Sequence, residues 1–182
     1  MPFHKTAIPG LLIFEPKVLG DDRGYFFESY NERTFREEAG LDVQFVQDNQ
    51  AFSTFGVLRG LHFQTGAFAQ AKLVRVLQGE VLDVAVDIRE DSPTCGHSYA
   101  CILSAENKRQ LFVPRGFAHG YVVLSPTAEF FYKCDNFYSK PHEGGIRPDC
   151  PVLGIDWQID MTQAVIAERD RNFPSFGEHK RG

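Results

Sequence analysis

The chain predicts a mainly β protein, an antiparallel barrel or jelly roll with a few short helices. Aromatic residues point that way first: 17 Phe and 6 Tyr stand against 2 Met and 1 Trp, and aromatics favour pleated, half-buried surfaces. Patterning points the same way. In residues 83–89, Val84, Val86 and Ile88 alternate with Asp83, Ala85, Asp87 and Arg89, the period of two of a strand. Further short apolar runs recur with little helix between them, each broken by Gly, Pro or Asn, the spacing of a sandwich or barrel. With 182 residues, 43% hydrophobic and 24% charged, the chain has material for one folded domain over 1–182, with 177–182 as a polar, frayed end.

The elements follow in order. Asn31 as N-cap, the run ERTFREEA and Gly40 just beyond it predict a helix over 32–39. Strands are expected at 25–30, 56–63, 73–77, 83–89, 98–103, 110–113, 120–124 and 129–134, with Gln78-Gly79-Glu80 as a turn. Residues 162–169 are expected to form a second helix.

Charge excludes one class of partner. The net charge is −5 with both signs interspersed, so there is no basic face for nucleic acid. No apolar run approaches the roughly 20 residues of a membrane span, and residues 1–17 lack the apolar core of a signal peptide. Cys95, Cys101, Cys134 and Cys150 show no Cys-x-x-Cys spacing; they read as reduced thiols in a cytoplasmic protein.

Two segments carry candidate chemistry. In Arg59-Gly60-Leu61-His62-Phe63-Gln64, regular alternation puts Arg59 and Leu61 on one strand face and His62 and Gln64 on the other. In Pro114-Arg115-Gly116-Phe117-Ala118-His119-Gly120, the Pro-x-Gly-x-x-His pattern resembles the second signature of cupin barrels, whose histidine points inward. Metal-binding cupins carry His-x-His in their first signature. Here that position reads His62-Phe63-Gln64, and two imidazoles without a third strong ligand predict no metal.

A longer set of blocks is more specific: Asp22-Arg23-Gly24-Tyr25-Phe26-Phe27-Glu28, Gln47-Asp48-Asn49, RGLHFQ at 59–64, Gln70-Ala71-Lys72-Leu73-Val74-Arg75-Val76, Asp83 to Arg89, PRGFAHGY at 114–121, Tyr132-Lys133-Cys134 and Glu168-Arg169-Asp170. In this order the chain resembles the dTDP-4-dehydrorhamnose 3,5-epimerase family of cupin-fold enzymes, over nearly its whole length. The resemblance implies double epimerisation of dTDP-4-dehydro-6-deoxy-D-glucose without a cofactor, in deoxysugar supply for cell-surface polysaccharide. His62 is then the base, Asp170 the carboxylate that orients it, Tyr132 the proton donor on the far face, and Lys72 the support for the C4 oxygen. The donor that returns the proton at C3 is not identified by the sequence, water being one candidate. Arg23 and Arg59 are expected at the diphosphate, Glu28, Gln47 and Asn49 on thymine, sugar or diphosphate, Phe26 or Tyr138 stacked on the base, and His119 near the C3 or C4 oxygen. A homodimer exchanging N-terminal strands is implied, with Leu11-Leu12-Ile13-Phe14 compatible with it. Residues Arg147-Pro148-Asp149-Cys150 depart from the family pattern and are expected at the nucleotide end. Single-centre epimerases, a ketoisomerase and a non-catalytic sugar-nucleotide binder are the alternatives.

Overall fold

The computed structural model describes residues 2–179. Two six-membered sheets face each other. In the first, β1 (Phe3–Lys5), β2 (Leu12–Phe14), β10 (Gln110–Val113), β7 (Lys72–Gln78), β12 (Thr127–Cys134) and β5 (Gln47–Thr54) lie side by side, all antiparallel. In the second, the order is β13 (Glu143–Gly145), β6 (Val57–Gln64), β11 (Phe117–Val123), β8 (Glu80–Asp87) and β9 (Ser98–Ser104), again antiparallel, and β14 (Val165–Ile166) adds one parallel pairing to the start of β6. A separate ribbon of β3 (Leu19–Asp21) and β4 (Gly24–Phe26) pairs with neither sheet.

Apolar residues sort into three layers. Between the sheets, Ile13, Val74, Val76, Leu111 and Phe130 meet Val81, Ala85, Leu103, Phe117 and Val123. Behind the second sheet, Leu58, Leu61, Leu82, Val84, Val86 and Val122 are covered by the C-terminal segment through Ile146, Cys150 and Trp157. Behind the first, Leu12, Phe14, Leu73 and Phe112 receive Phe35. Phe35 comes from α1 (Glu32–Ala39), whose Asn31 side chain accepts from the N–H groups of Arg33 and Thr34 and whose Gly40 closes the end at φ 68°. The helix therefore has the ends its sequence specifies. In β8 both faces are covered, so the alternation seen in the sequence separates a rear apolar layer from the barrel interior, not core from solvent. Asp83 and Asp87 are consequently inside, each fully buried.

Three expectations change. Residues 162–169 do not form a helix: Val165 and Ile166, both β-branched, pair with Val57 and Leu58, and a single helical turn, α2 (Glu168–Arg171), follows. Residues 25–30 are strand only as far as Phe26. In the expected frayed end, residues 180–182 lie outside the described residues, whereas His179 packs its ring against Phe176 at 5.2 Å and Phe63 at 5.9 Å.

Candidate active site

β6 and β11 build one wall of a cavity. Their register pairs His62 with His119 and Arg59 with Tyr121, so three residues of β6 span two of β11. This bulge breaks the regular alternation, and Arg59 and His62 line the same cavity instead of pointing to opposite faces. Two glycines permit the close crossing. A Cβ on Gly120 would lie 2.6 Å from the Arg59 carbonyl oxygen, and one on Gly60, at φ 128°, would lie 2.6 Å from Gly120 Cα.

Behind His62 stands Asp170, delivered by the short helix that follows the β14–β6 pairing. Its Oδ1 is 2.9 Å from His62 Nε2, and its Oδ2 accepts from the Gly60 N–H at 3.1 Å. Only 2% of Asp170 is exposed. Burial opposes its ionisation, but the hydrogen bond and charge of His62 and the Gly60 N–H together hold the carboxyl below the ordinary carboxylate range. A carboxylate only accepts, so Nε2 carries the hydrogen of the neutral ring and Nδ1 keeps the lone pair. Next to it, His119 Nε2 lies 2.9 and 3.0 Å from the two oxygens of buried Asp83.

The opposite wall comes from the first sheet. Lys72 opens β7 and Tyr132 is near the end of β12, with the Lys72 Nζ 5.7 Å from the Tyr132 ring centroid. Burial pulls the Lys72 ammonium below its usual range and pushes the Tyr132 phenol up to about 12. Cys134, beside them, is pushed up to about 11 by burial. Phe130 stacks on Tyr121 at 4.1 Å. The Tyr121 hydroxyl is buried without a well-formed hydrogen bond, with Ser53 and Arg59 alongside.

A cavity of about 350 Å³ separates the walls, bordered by Arg59, His62, Lys72, His119, Tyr132 and Tyr138, with Glu143 and Arg169 at its rim. That volume suits a sugar. At the mouth, the Tyr138 hydroxyl donates to Glu143 Oε2 at 3.0 Å, and Arg169 Nη1 donates to the same oxygen at 2.9 Å. Gln47 Oε1 accepts from the Tyr138 N–H at 3.1 Å, and Gln47 Nε2 donates to Asn49 Oδ1 at 3.1 Å. Thus nine of the twelve expected residues gather at one place: His62, Asp170, Lys72, Tyr132, His119, Arg59, Tyr138, Gln47 and Asn49.

Arg23, Phe26 and Glu28 do not join them. Arg23 and Phe26 lie on the β3–β4 ribbon, Phe26 70% exposed, and the Arg23 guanidinium pairs with Asp21 at 2.5 Å. Glu28 is exposed beyond the ribbon and borders a surface hollow with Phe14 and Lys17. Residues 147–150 are also elsewhere: Cys150 is in the layer behind the second sheet, and the Trp157 indole donates to the Pro148 carbonyl at 2.9 Å. This segment seals the back of the second sheet and lines no part of the cavity. Asp83, Glu143 and Arg169 are site residues that motif reading missed. Asp83 and Arg169 lie inside the matching blocks, where only the fold reveals which side chain each one touches.

Chemically, the cavity offers an imidazole with a buried carboxylate on one wall, and a phenol with a buried amine on the other. Among the described residues, no three His, Cys, Asp or Glu side chains are grouped to hold a metal ion.

The sequence profile of the dTDP-4-dehydrorhamnose 3,5-epimerase family matches residues 5–178. The dTDP-4-dehydrorhamnose 3,5-epimerase of Salmonella typhimurium is 61% identical over 164 residues, 90% of each chain. Among solved structures, the dTDP-4-dehydrorhamnose 3,5-epimerase of Elizabethkingia anophelis superposes with a TM-score of 0.94 at 55% identity, covering 97% of this chain and 96% of the other. The dTDP-6-deoxy-D-glucose-3,5-epimerase of Legionella pneumophila, solved with dTDP-4-keto-L-rhamnose, gives 0.92 at 47% identity, covering 96% and 92%.

Proposed function

The chain belongs to the dTDP-4-dehydrorhamnose 3,5-epimerase family, and from that premise we propose how its cleft works. The enzyme is an isomerase that inverts C3 and C5 of dTDP-4-dehydro-6-deoxy-D-glucose, giving dTDP-4-dehydro-L-rhamnose for dTDP-L-rhamnose synthesis. In the substrate both carbons are α to the C4 carbonyl, so the substrate itself acidifies both protons and the protein supplies only acid, base and charge.

His62 takes each proton through Nδ1, and Asp170 stabilises the imidazolium that forms, as a carboxylate does for a general-base histidine. Lys72 donates to the C4 oxygen as charge develops there. Tyr132 returns a proton to C5 from the facing wall, and water returns the proton at C3. One observation carries this reading: His62 and Tyr132 stand on opposing walls of one sugar-sized cavity, the arrangement inversion requires. His119, held by Asp83, hydrogen-bonds the sugar near C3 or C4. Arg59 meets the diphosphate at the mouth, where a planar guanidinium gives paired contacts, and Gln47, Asn49 and Tyr138 hold the nucleotide end.

The ribbon completes the site in a homodimer. Arg23, Phe26 and Glu28 project from an element that pairs with neither sheet of its own chain, which suits insertion into a partner's cleft. Leu12, Ile13 and Phe14 form a buried strand between β1 and β10 of the same chain. The four cysteines are all unpaired, which fits a reducing cytoplasm. Proton NMR of the product formed from dTDP-4-dehydro-6-deoxy-D-glucose tests the function. The L-rhamno configuration supports it; a product inverted at one carbon identifies a single-centre epimerase, and an unchanged substrate removes the assignment.

A further inference from the structure

Arg169 is the charged group that touches the proposed base without belonging to the acid–base set. Its Nη2 lies 3.2 Å from His62 Nε2, its Nη1 donates to Glu143 at 2.9 Å, and its Nε is 3.4 Å from Asp170 Oδ1. The guanidinium also lies 5.7 Å from the Phe173 ring centroid, and that ring meets His62 edge-on at 5.7 Å. Glu143 and Phe173 thus fix a permanent cation against the imidazole. A guanidinium cannot accept, and the Nε2 hydrogen already goes to Asp170, so the contact with His62 is electrostatic rather than a second hydrogen bond.

Its consequence follows from charge. Asp170 on its own favours the doubly protonated ring, and a resting base that already holds a proton cannot take one from carbon. We propose that Arg169 is a positioning residue which keeps His62 singly protonated before substrate arrives, with Nδ1 open to the cavity. This rests on His62 being the base. Other ionisable groups line the same cavity: His119, held by Asp83, from β11 and β8, Lys72 from β7 and Tyr132 from β12. Arg59 of the base's own strand and Tyr138 at the mouth complete the surroundings. Among the described residues, only Arg169 brings a cation within hydrogen-bonding distance of the imidazole.

The test compares the native enzyme with R169K and R169M. Arg169 is exposed over half of its side chain, so neither substitution disturbs the core. The pH dependence of kcat/KM reports the free enzyme. Removing the cation should move its acid limb upward by about one pH unit in R169M, and R169K should restore it. NMR titration of the His62 ring in unliganded protein should show the same upward shift without any need for turnover. A slower R169M enzyme with an unmoved acid limb and an unmoved ring titration would overturn the proposal, leaving Arg169 a substrate contact. If the native enzyme inverts neither carbon, the function above fails instead, and the ring titration still decides the role of Arg169.

Discussion

His62 Nε2 and Asp170 Oδ1 meet at 2.9 Å although 108 positions separate them. The parallel pairing of Val165 and Ile166 with Val57 and Leu58 brings the C-terminal segment beside β6, and the next turn places Asp170 under the bulge. The second carboxylate oxygen holds the Gly60 N–H at 3.1 Å. One side chain therefore holds the imidazole of the proposed base and ties down the irregular backbone that aims it.

Replacing Asp170 separates those two tasks. D170N keeps the shape but cannot balance an imidazolium, and kcat should fall by about 10² to 10⁴. D170A leaves the Gly60 N–H without a partner and should cost a further 1–3 kcal/mol or so in stability. The native carboxyl titrates below its unfolded value of about 3.9, so its stabilising effect is complete above that pH and fades as pH falls. Urea unfolding of native and D170N protein should accordingly converge in acid.

Tyr132→Phe should remove inversion at C5, by about 10² to 10⁴ in rate, while proton abstraction by His62 continues. Because burial pushes the native phenol up to about 12, the donor stays protonated through the alkaline range. No loss of activity below about pH 11 should trace to this residue, as a rate profile on native enzyme would reveal.

Lys72 predicts a trade between stability and activity. Burial lowers its titration in the folded state, so below the unfolded value of about 10.4 the ammonium form destabilises the fold. K72M should be more stable than native protein at pH 7, by about 1 kcal/mol, with the gap closing above pH 10 or so. Turnover should nevertheless fall about 10²-fold or more, because the enolate loses its donor. Paired melts and assays on one preparation check both signs.

Motif blocks in the sequence pointed to the cavity residues more directly than apolar patterning pointed to the strands. The helix over Glu32–Ala39 was legible because its two ends are chemical signals, Asn31 and Gly40. Strand β5 was not, because Gln47, Asp48, Asn49 and Gln50 carry no apolar rhythm; it is an edge strand whose inner residues face the cavity. Residues 162–169 misled because local propensity yields to a parallel pairing that only tertiary structure supplies. His62, Tyr132, Lys72 and Asp170 were singled out from their blocks, and the fold brings them to one place. Asp83, Glu143 and Arg169 were not, since each is placed at the site by a side-chain partner that only the fold supplies: His119 for Asp83, Arg169 for Glu143, and His62 for Arg169.

A ribbon that serves the partner's cleft predicts complementation. H62A and R23A homodimers should each be poor enzymes. Mixed after partial unfolding and refolding, they should form heterodimers with one intact site, recovering about a quarter of native activity at equal ratio if exchange is random. Activity equal to the average of the two parents would place Arg23 in its own chain's site.

In the proposed mechanism one base, His62, serves both carbons. Native enzyme and H62A should each be incubated with dTDP-4-dehydro-6-deoxy-D-glucose in D2O, and deuterium at C3 and C5 followed by NMR. A shared base gives deuterium at both carbons with native enzyme, and loss of both exchanges together in H62A. Persistence of exchange at either carbon in H62A would show a second base and contradict the mechanism.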